Sequence, residues 1–360
     1  MKNFFLFLIF SLFILIPIWN STAQNFEIER GVNISHWLSQ SERRGEERQK
    51  FFTEEDVAFI KNTGFDHIRI PIDEEQMWDE RGNKEKEAFE LLHNAINWSD
   101  KHNLNVIVDL HILRSHHFNE DKRPLWTDPK EQDKFVNFWQ QLSEELSQYA
   151  TEKVAYELMN EAVADDPEDW NNLIAKAVEA LRKTEPERFI VIGSNMWQKT
   201  ETFDQLRVPQ KDPYIILSFH LYEPMLITHY QAPWTSVGKY EGPVQYPGKP
   251  IKEEDLKEVS PEIRETIQSS NKYYDKSVLE NLLEKPLNLA RENNLQLYCG
   301  EWGVYKATPK EPALQWYEDV RDILEKNNIA WAIWDYKGSF GIIKDGEKDQ
   351  ELIYVLIPQN

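Results

Sequence analysis

From Phe26 onward, short runs rich in β-branched residues alternate with stretches whose apolar side chains recur at three- and four-residue steps. The short runs predict eight strands, at residues 27–33, 65–70, 104–110, 153–158, 188–193, 214–219, 296–300 and 329–334. Several are almost wholly apolar, such as Val106-Ile107-Val108 and Ile215-Ile216-Leu217, as strands covered on both faces of a parallel sheet must be. Between them, Phe135, Phe138, Trp139, Leu142, Leu146 and Tyr149 mark one amphipathic helix, and Trp170, Leu173, Ile174, Ala177, Val178 and Leu181 mark another. Thr53 ahead of Glu54-Glu55-Asp56 reads as a helix start, and Gly64 as its exit.

Eight strands interleaved with helices predict an α/β fold, a single-domain (β/α)8 barrel of the TIM type. An open doubly wound sheet is the alternative, and the first strand-to-helix turn lacks the Gly-rich phosphate loop that would favour it. The eighth helix is short, at residues 349–356. After the sixth strand the stretch 222–271 is too long for an ordinary barrel loop and carries Pro224, Pro233, Pro243, Pro247, Pro250 and Pro261. With Trp234, Tyr240 and Tyr246 aboard, it is expected to form a binding wall or lid at the carboxyl end of the barrel; a surface insertion is the other reading.

Composition narrows the partners. A net charge of −21 disfavours nucleic acid, and a single cysteine, Cys299, rules out an internal disulfide and a cysteine zinc site. Thirteen tryptophans suit either a core or the apolar faces of sugars. Residues 1–24 read as an export signal: Lys2, an apolar run from Phe4 to Trp19, then Ser21-Thr22-Ala23. With no cysteine near the cut to carry lipid, residues 25–360 are expected as one catalytic domain, secreted or periplasmic and monomeric.

The predicted strand ends gather polar residues: Arg69 on the second, Asp109-Leu110-His111 on the third, Asn160-Glu161 on the fourth, His220-Leu221-Tyr222 on the sixth, Glu301 on the seventh and Trp334 on the eighth. In a barrel these converge at one face. Glu161 and Glu301 are then two carboxylates across a sugar-sized gap, which is what cleavage of a glycosidic bond needs. Arg69 and the Tyr222 hydroxyl are placed to hold Glu301 ionised. His111, His116, His117 and His220 could instead suggest a metal cluster.

Arg69-Ile70-Pro71, Leu158-Met159-Asn160-Glu161, His220-Leu221-Tyr222, Gly300-Glu301-Trp302-Gly303 and Trp331-Ala332-Ile333-Trp334 together resemble glycoside hydrolase family 5. The resemblance runs from about Gly31 to Phe340 and takes in Asn33, Trp37 and His111. It implies a retaining hydrolase of the cellulase-like superfamily, with Glu161 as acid/base, Glu301 as nucleophile and neither metal nor cofactor. Arg69, His111, Asn160, His220, Tyr222 and Trp334 fall on the remaining motif positions. Asn33, Trp37, Trp197 and Trp302 are added as supporting or sugar-contacting residues. The implied substrate is a β-linked polysaccharide or oligosaccharide, with an endo-acting β-glucanase as the first expectation. An exo-acting β-glucosidase or β-1,3-glucanase, a β-mannanase, and an inactive carbohydrate-binding barrel are the alternatives.

Overall fold

A computed structural model describes residues 25–344 and 346–358; the expected export signal lies outside them. Eight parallel strands close on themselves in sequence order. They are β1 (Arg30–Asn33), β2 (His67–Asp73), β3 (Asn105–Ile112), β4 (Val154–Glu157), β5 (Ile190–Gly193), β6 (Ile215–Leu221), β7 (Gln296–Trp302) and β8 (Ala330–Ile333). All eight predicted strands are present, so the fold is the (β/α)8 barrel. No described helix is long and apolar enough to cross a membrane.

Helices begin where local chemistry supplies a partner for their first amides. Asp128 and Asp166 each accept from the second residue of a helix that opens with proline, Pro129–Leu146 and Pro167–Arg182. Thr53 and Asp56 form a capping box, and Gly64 leaves that helix in the left-handed region at φ 114°. The last helix, Gln350–Leu356, is short as expected and is capped by Asp349.

Alternation along the strands sorts side chains into two populations. On β3, Val106, Val108 and Leu110 face the helices within the main core, while Ile107, Asp109 and His111 face the barrel interior. Register aligns the interior set into layers: Ile107 stands beside Ala155, and Asp109 beside Glu157. The lower layer is apolar, with Ile107, Ala155, Val191, Ile216, Tyr298 and Ala332 closed from below by Phe26 and Ile28. The upper layer carries the chemistry.

The stretch after β6 is ordered around its own small core of Leu226, Tyr230, Val237, Tyr240, Ile251 and Ile267. This corrects the expectation of an aromatic wall there. Tyr240 is buried in that core, and Tyr246 is buried with its hydroxyl donating to Asp319 at 2.9 Å. Only Trp234 of the three is exposed, standing edge-on to Tyr305 and near Phe340. Phe340 in turn packs against Tyr222.

Candidate active site

The site is built outward from one buried guanidinium. Arg69 on β2 has no exposed surface, and its three nitrogens all donate across the barrel interior. Its Nε and Nη2 donate to Glu157 at 2.6 and 3.2 Å, Nη2 also to Asn160 at 2.9 Å, and Nη1 to Asn33 at 2.9 Å and Glu301 at 2.8 Å. Asp109 lies 3.0 Å away as a third carboxylate. A planar fork of five donors is the group that can satisfy so many acceptors at once. Asn33 braces it from β1 and donates to the backbone of Gly300 on β7, which makes Asn33 a strut beneath the site.

β7 has a local slip that decides which side chain enters the barrel. Phe219 pairs with Cys299 but the next residue, His220, pairs with Glu301, so Gly300 is an extra residue in the ladder. Plain alternation from Tyr298 would send Glu301 outward and Trp302 inward. The bulge reverses both. Glu301 therefore reaches Arg69, and its Oε2 accepts from the Tyr222 hydroxyl at 3.1 Å.

Glu161 follows β4 in a left-handed conformation, φ 44°. Its Oε1 lies 2.9 Å from His220 Nδ1, and the same nitrogen is 3.7 Å from Glu301 Oε2. One oxygen of each glutamate and a nitrogen of His220 fall within 4.8 Å of one another. Such a trio can formally hold a cation, but here the Glu301 carboxylate already accepts from Arg69 and Tyr222, while the Glu161 carboxylate faces His220. His116 is not part of it: its Nε2 accepts from the Val163 amide at 3.1 Å.

Burial and charge set the protonation states apart. Both glutamates are pushed above the usual carboxylate range by burial; Glu161 is pushed further, since Glu301 repels its charge, while Arg69 pulls Glu301 back. Of the pair, Glu161 is thus the one whose environment favours the proton more strongly. Glu161 is also the more open of the two, with 13% of its side chain exposed against 6%. Burial holds His111 neutral, its imidazole down at about 3, and pushes Asp109 up to about 7 against the pull of Arg69. His111 Nδ1 donates to Asp109 at 2.7 Å, which leaves Nε2 to accept from Gln40 at 3.0 Å. Its ring lies parallel to that of Trp334, 5.4 Å away. Beyond them His36 and Gln40 line a cavity of about 300 Å³ shared with Arg43, Lys306 and Lys337.

The structure thus brings together Glu161, Glu301, Arg69, His111, Asn160, His220, Tyr222, Trp334 and Asn33. Two expected sugar contacts are core instead. Trp37 is fully buried, donates its indole N–H to the Arg48 carbonyl at 2.8 Å and packs on Phe52. Trp302 is fully buried against Trp316, Tyr317 and Trp331, on the helix side of the bulge. Trp197 is half-buried, tied by its indole to the Phe118 carbonyl at 3.1 Å, with Lys199 over its ring at 4.8 Å.

Two residues escaped the sequence reading. Glu157 holds Arg69 from the strand position four before Glu161, and inward alternation was the signal for it. Gln198 closes a turn in which Met196, Trp197 and Gln198 are all left-handed, at φ 60°, 64° and 52°. Non-glycine residues held there cost on the order of 1–3 kcal/mol each, so surrounding contacts must enforce the turn. Nothing in the sequence around Gln198 announces it.

Comparison with known proteins identifies the chain's relatives. The sequence model of cellulase, glycosyl hydrolase family 5, matches residues 22–339. Endoglucanase C of Acetivibrio thermocellus is 31% identical over 336 residues, covering 91% of this chain and 97% of that protein. Cellodextrinase A of Ruminococcus flavefaciens is 27% identical over 307 residues, 84% of each. In fold the chain is similar to endoglucanase Cel5A of Thermotoga maritima, with a TM-score of 0.75 at 24% identity over 93% of this chain and 98% of that one.

Proposed function

The chain belongs to glycosyl hydrolase family 5 and is a glycoside hydrolase acting on O-glycosyl bonds, and within that class we propose a secreted, retaining endo-β-glucanase that works through Glu161 and Glu301. The observation that carries the mechanism is the closeness of the two carboxylates, with oxygens within 4.8 Å. Retaining enzymes need roughly 5–5.5 Å between the groups, whereas inverting ones need about 6.5–9.5 Å to admit a water.

In the first step Glu301 attacks the anomeric carbon as the bond to the departing oxygen breaks and Glu161 gives that oxygen its proton. The product is a glycosyl ester on Glu301. In the second step Glu161, now ionised, takes a proton from water as the water oxygen displaces Glu301, and the sugar leaves with its original configuration. Arg69 and Tyr222 keep Glu301 charged and aimed for the attack. Trp334, stacked on His111, offers the flat apolar face on which a glucosyl ring rests.

A β-glucan substrate and internal cleavage are supported by the relative named endoglucanase, which this chain covers almost end to end. The cavity beyond His36 and Gln40 lies on the β1 and β8 side, across the barrel from Glu161 just after β4, and gives a glycan room to continue past Trp334. Residues 1–24 are read as the export signal, which mass spectrometry of exported protein tests by its first residue.

The deciding experiment traps the ester. With an activated 2-fluoro-cellobioside, the label is expected on the peptide containing Glu301. Glu161→Ala is expected to regain turnover with azide as a β-glycosyl azide. Label on Glu161, or an α-azide product, would overturn the assignment. Soluble mixed-linkage glucan, cellulose derivative, β-1,3-glucan and mannan, with product sizes read by chromatography, decide backbone and mode of attack.

A further inference from the structure

We propose that Gln198 is a positioning residue of the catalytic pair, its carboxamide locking the backbone of Glu161 to the carboxylate that holds Arg69. The inference rests on the roles given above to Glu161 and Glu301 and adds a residue that touches neither reacting atom.

Gln198 is 1% exposed and uses both ends of its amide. Its Oε1 accepts from the Glu161 backbone N–H at 2.8 Å. Its Nε2 donates to Glu157 Oε1 at 3.3 Å and to Ser218 Oγ at 3.1 Å. Glu157 grips Arg69 through two hydrogen bonds, and Arg69 donates to Glu301 at 2.8 Å. An unbroken path therefore runs from the peptide of the acid, through Gln198, Glu157 and Arg69, to the carboxylate of the nucleophile.

The surroundings are shaped for this one side chain. Three consecutive left-handed residues turn it inward. Gly193 at the end of β5 leaves it room, since a Cβ there would stand 2.3 Å from Gln198 Cγ. The position demands an acceptor at one end and a donor at the other without adding charge beside Glu157. A primary amide supplies that combination; a methionine of similar length supplies neither, and an ionised carboxylate repels Glu157. Glu161 itself needs the restraint, because it sits in a left-handed conformation with its amide facing the interior.

What such a restraint controls is whether the acid's proton meets the leaving oxygen in the same geometry in which the nucleophile attacks. Its loss should therefore cost most where proton donation matters. For Gln198→Met, kcat on a neutral soluble mixed-linkage β-glucan is expected to fall about 30-fold with KM changed less than about twofold, while the dinitrophenolate burst from dinitrophenyl β-cellobioside changes less than about threefold.

Gln198→Glu supplies a second, chemically distinct signature. Protonated, the introduced carboxyl mimics the amide, donating O–H to Glu157 and accepting from Glu161. Ionised, it opposes Glu157. The charged and titratable groups around it are Glu157 on β4, Glu161 beyond it, Arg69 on β2, His220 on β6 and Lys199 next in sequence. Activity should approach wild type at low pH and fall as pH rises, narrowing the bell from its alkaline side by about one unit or more.

Equal losses on both substrates for Gln198→Met, a change in KM alone, or an alkaline limb unmoved in Gln198→Glu would overturn the proposal. Should Gln198→Met fail to fold, the pH profile of Gln198→Glu decides. Glu161→Gln run alongside keeps the two levels apart: if it lacks the same leaving-group dependence, the acid assignment fails rather than the role of Gln198.

Discussion

The lower and upper halves of the barrel interior are lined by the same strands and are both largely buried, yet they are built from opposite chemistry. Below, Ile107, Ala155, Val191 and Ile216 pack with Phe26 and Ile28. Two residues further along β3 and β4 stand Asp109 and Glu157, both fully buried with Arg69 and Glu301 close by. Removing an ion from water costs several kcal/mol even in a relaxed protein, so the upper layer survives only because its hydrogen bonds are nearly complete. Asp109 Oδ1 is among the few atoms left without a partner. The comparison teaches that one end of the barrel supplies stability while the other is held in place by it, poised for charge to move.

Substitutions that test this division run from the largest expected effect to the smallest. Glu301→Gln should lower kcat on polysaccharide by about 10⁴-fold or more without lowering the melting temperature, since it removes a negative charge from a crowded layer; a large destabilisation would mean the upper layer carries the fold. Arg69→Met should abolish activity and cost about 3–5 kcal/mol in denaturant unfolding, because three buried carboxylates lose their common cation. Ile216→Ala, in the lower layer, should cost about 2–5 kcal/mol while kcat measured well below the melting point stays within about twofold. A matching fall in kcat would erase the distinction between the layers.

Tyr222→Phe should lower kcat by about tenfold and move the acid limb of the pH profile upward. The sign follows from the hydrogen bond: the hydroxyl favours ionised Glu301, so without it Glu301 protonates at higher pH. The alkaline limb, set by Glu161, should stay in place. Smallest of all, Trp37→Phe should trim stability by about 1–2 kcal/mol and leave KM unchanged, and a raised KM would return Trp37 to the sugar site.

Much of this was legible in the sequence because parallel barrel strands are nearly continuous apolar runs, and polar residues at their ends have few reasons to be there except chemistry. The eight strands, Arg69, Glu161, Glu301 and Tyr222 came out on that signal. Trp302 did not, because its direction depends on the extra residue in β7, which the ladder reveals and a single chain does not. Trp37, Tyr240 and Tyr246 were misplaced for a plainer reason: an aromatic ring in a loop suits a sugar and a local core equally well, and only the neighbours decide. Glu157 and Gln198 act through another residue, so no motif marks them.

The extra residue at Gly300 also means that the reactive face of β7 is specified by register. Were Gly300 paired in regular register instead of bulged, every motif side chain would stay in the sequence while Glu301 turned out toward the helices and Trp302 turned into the barrel. A chain can therefore keep the complete set of motif residues and still be silent, and comparison of relatives at this strand has to respect pairing register as strictly as identity.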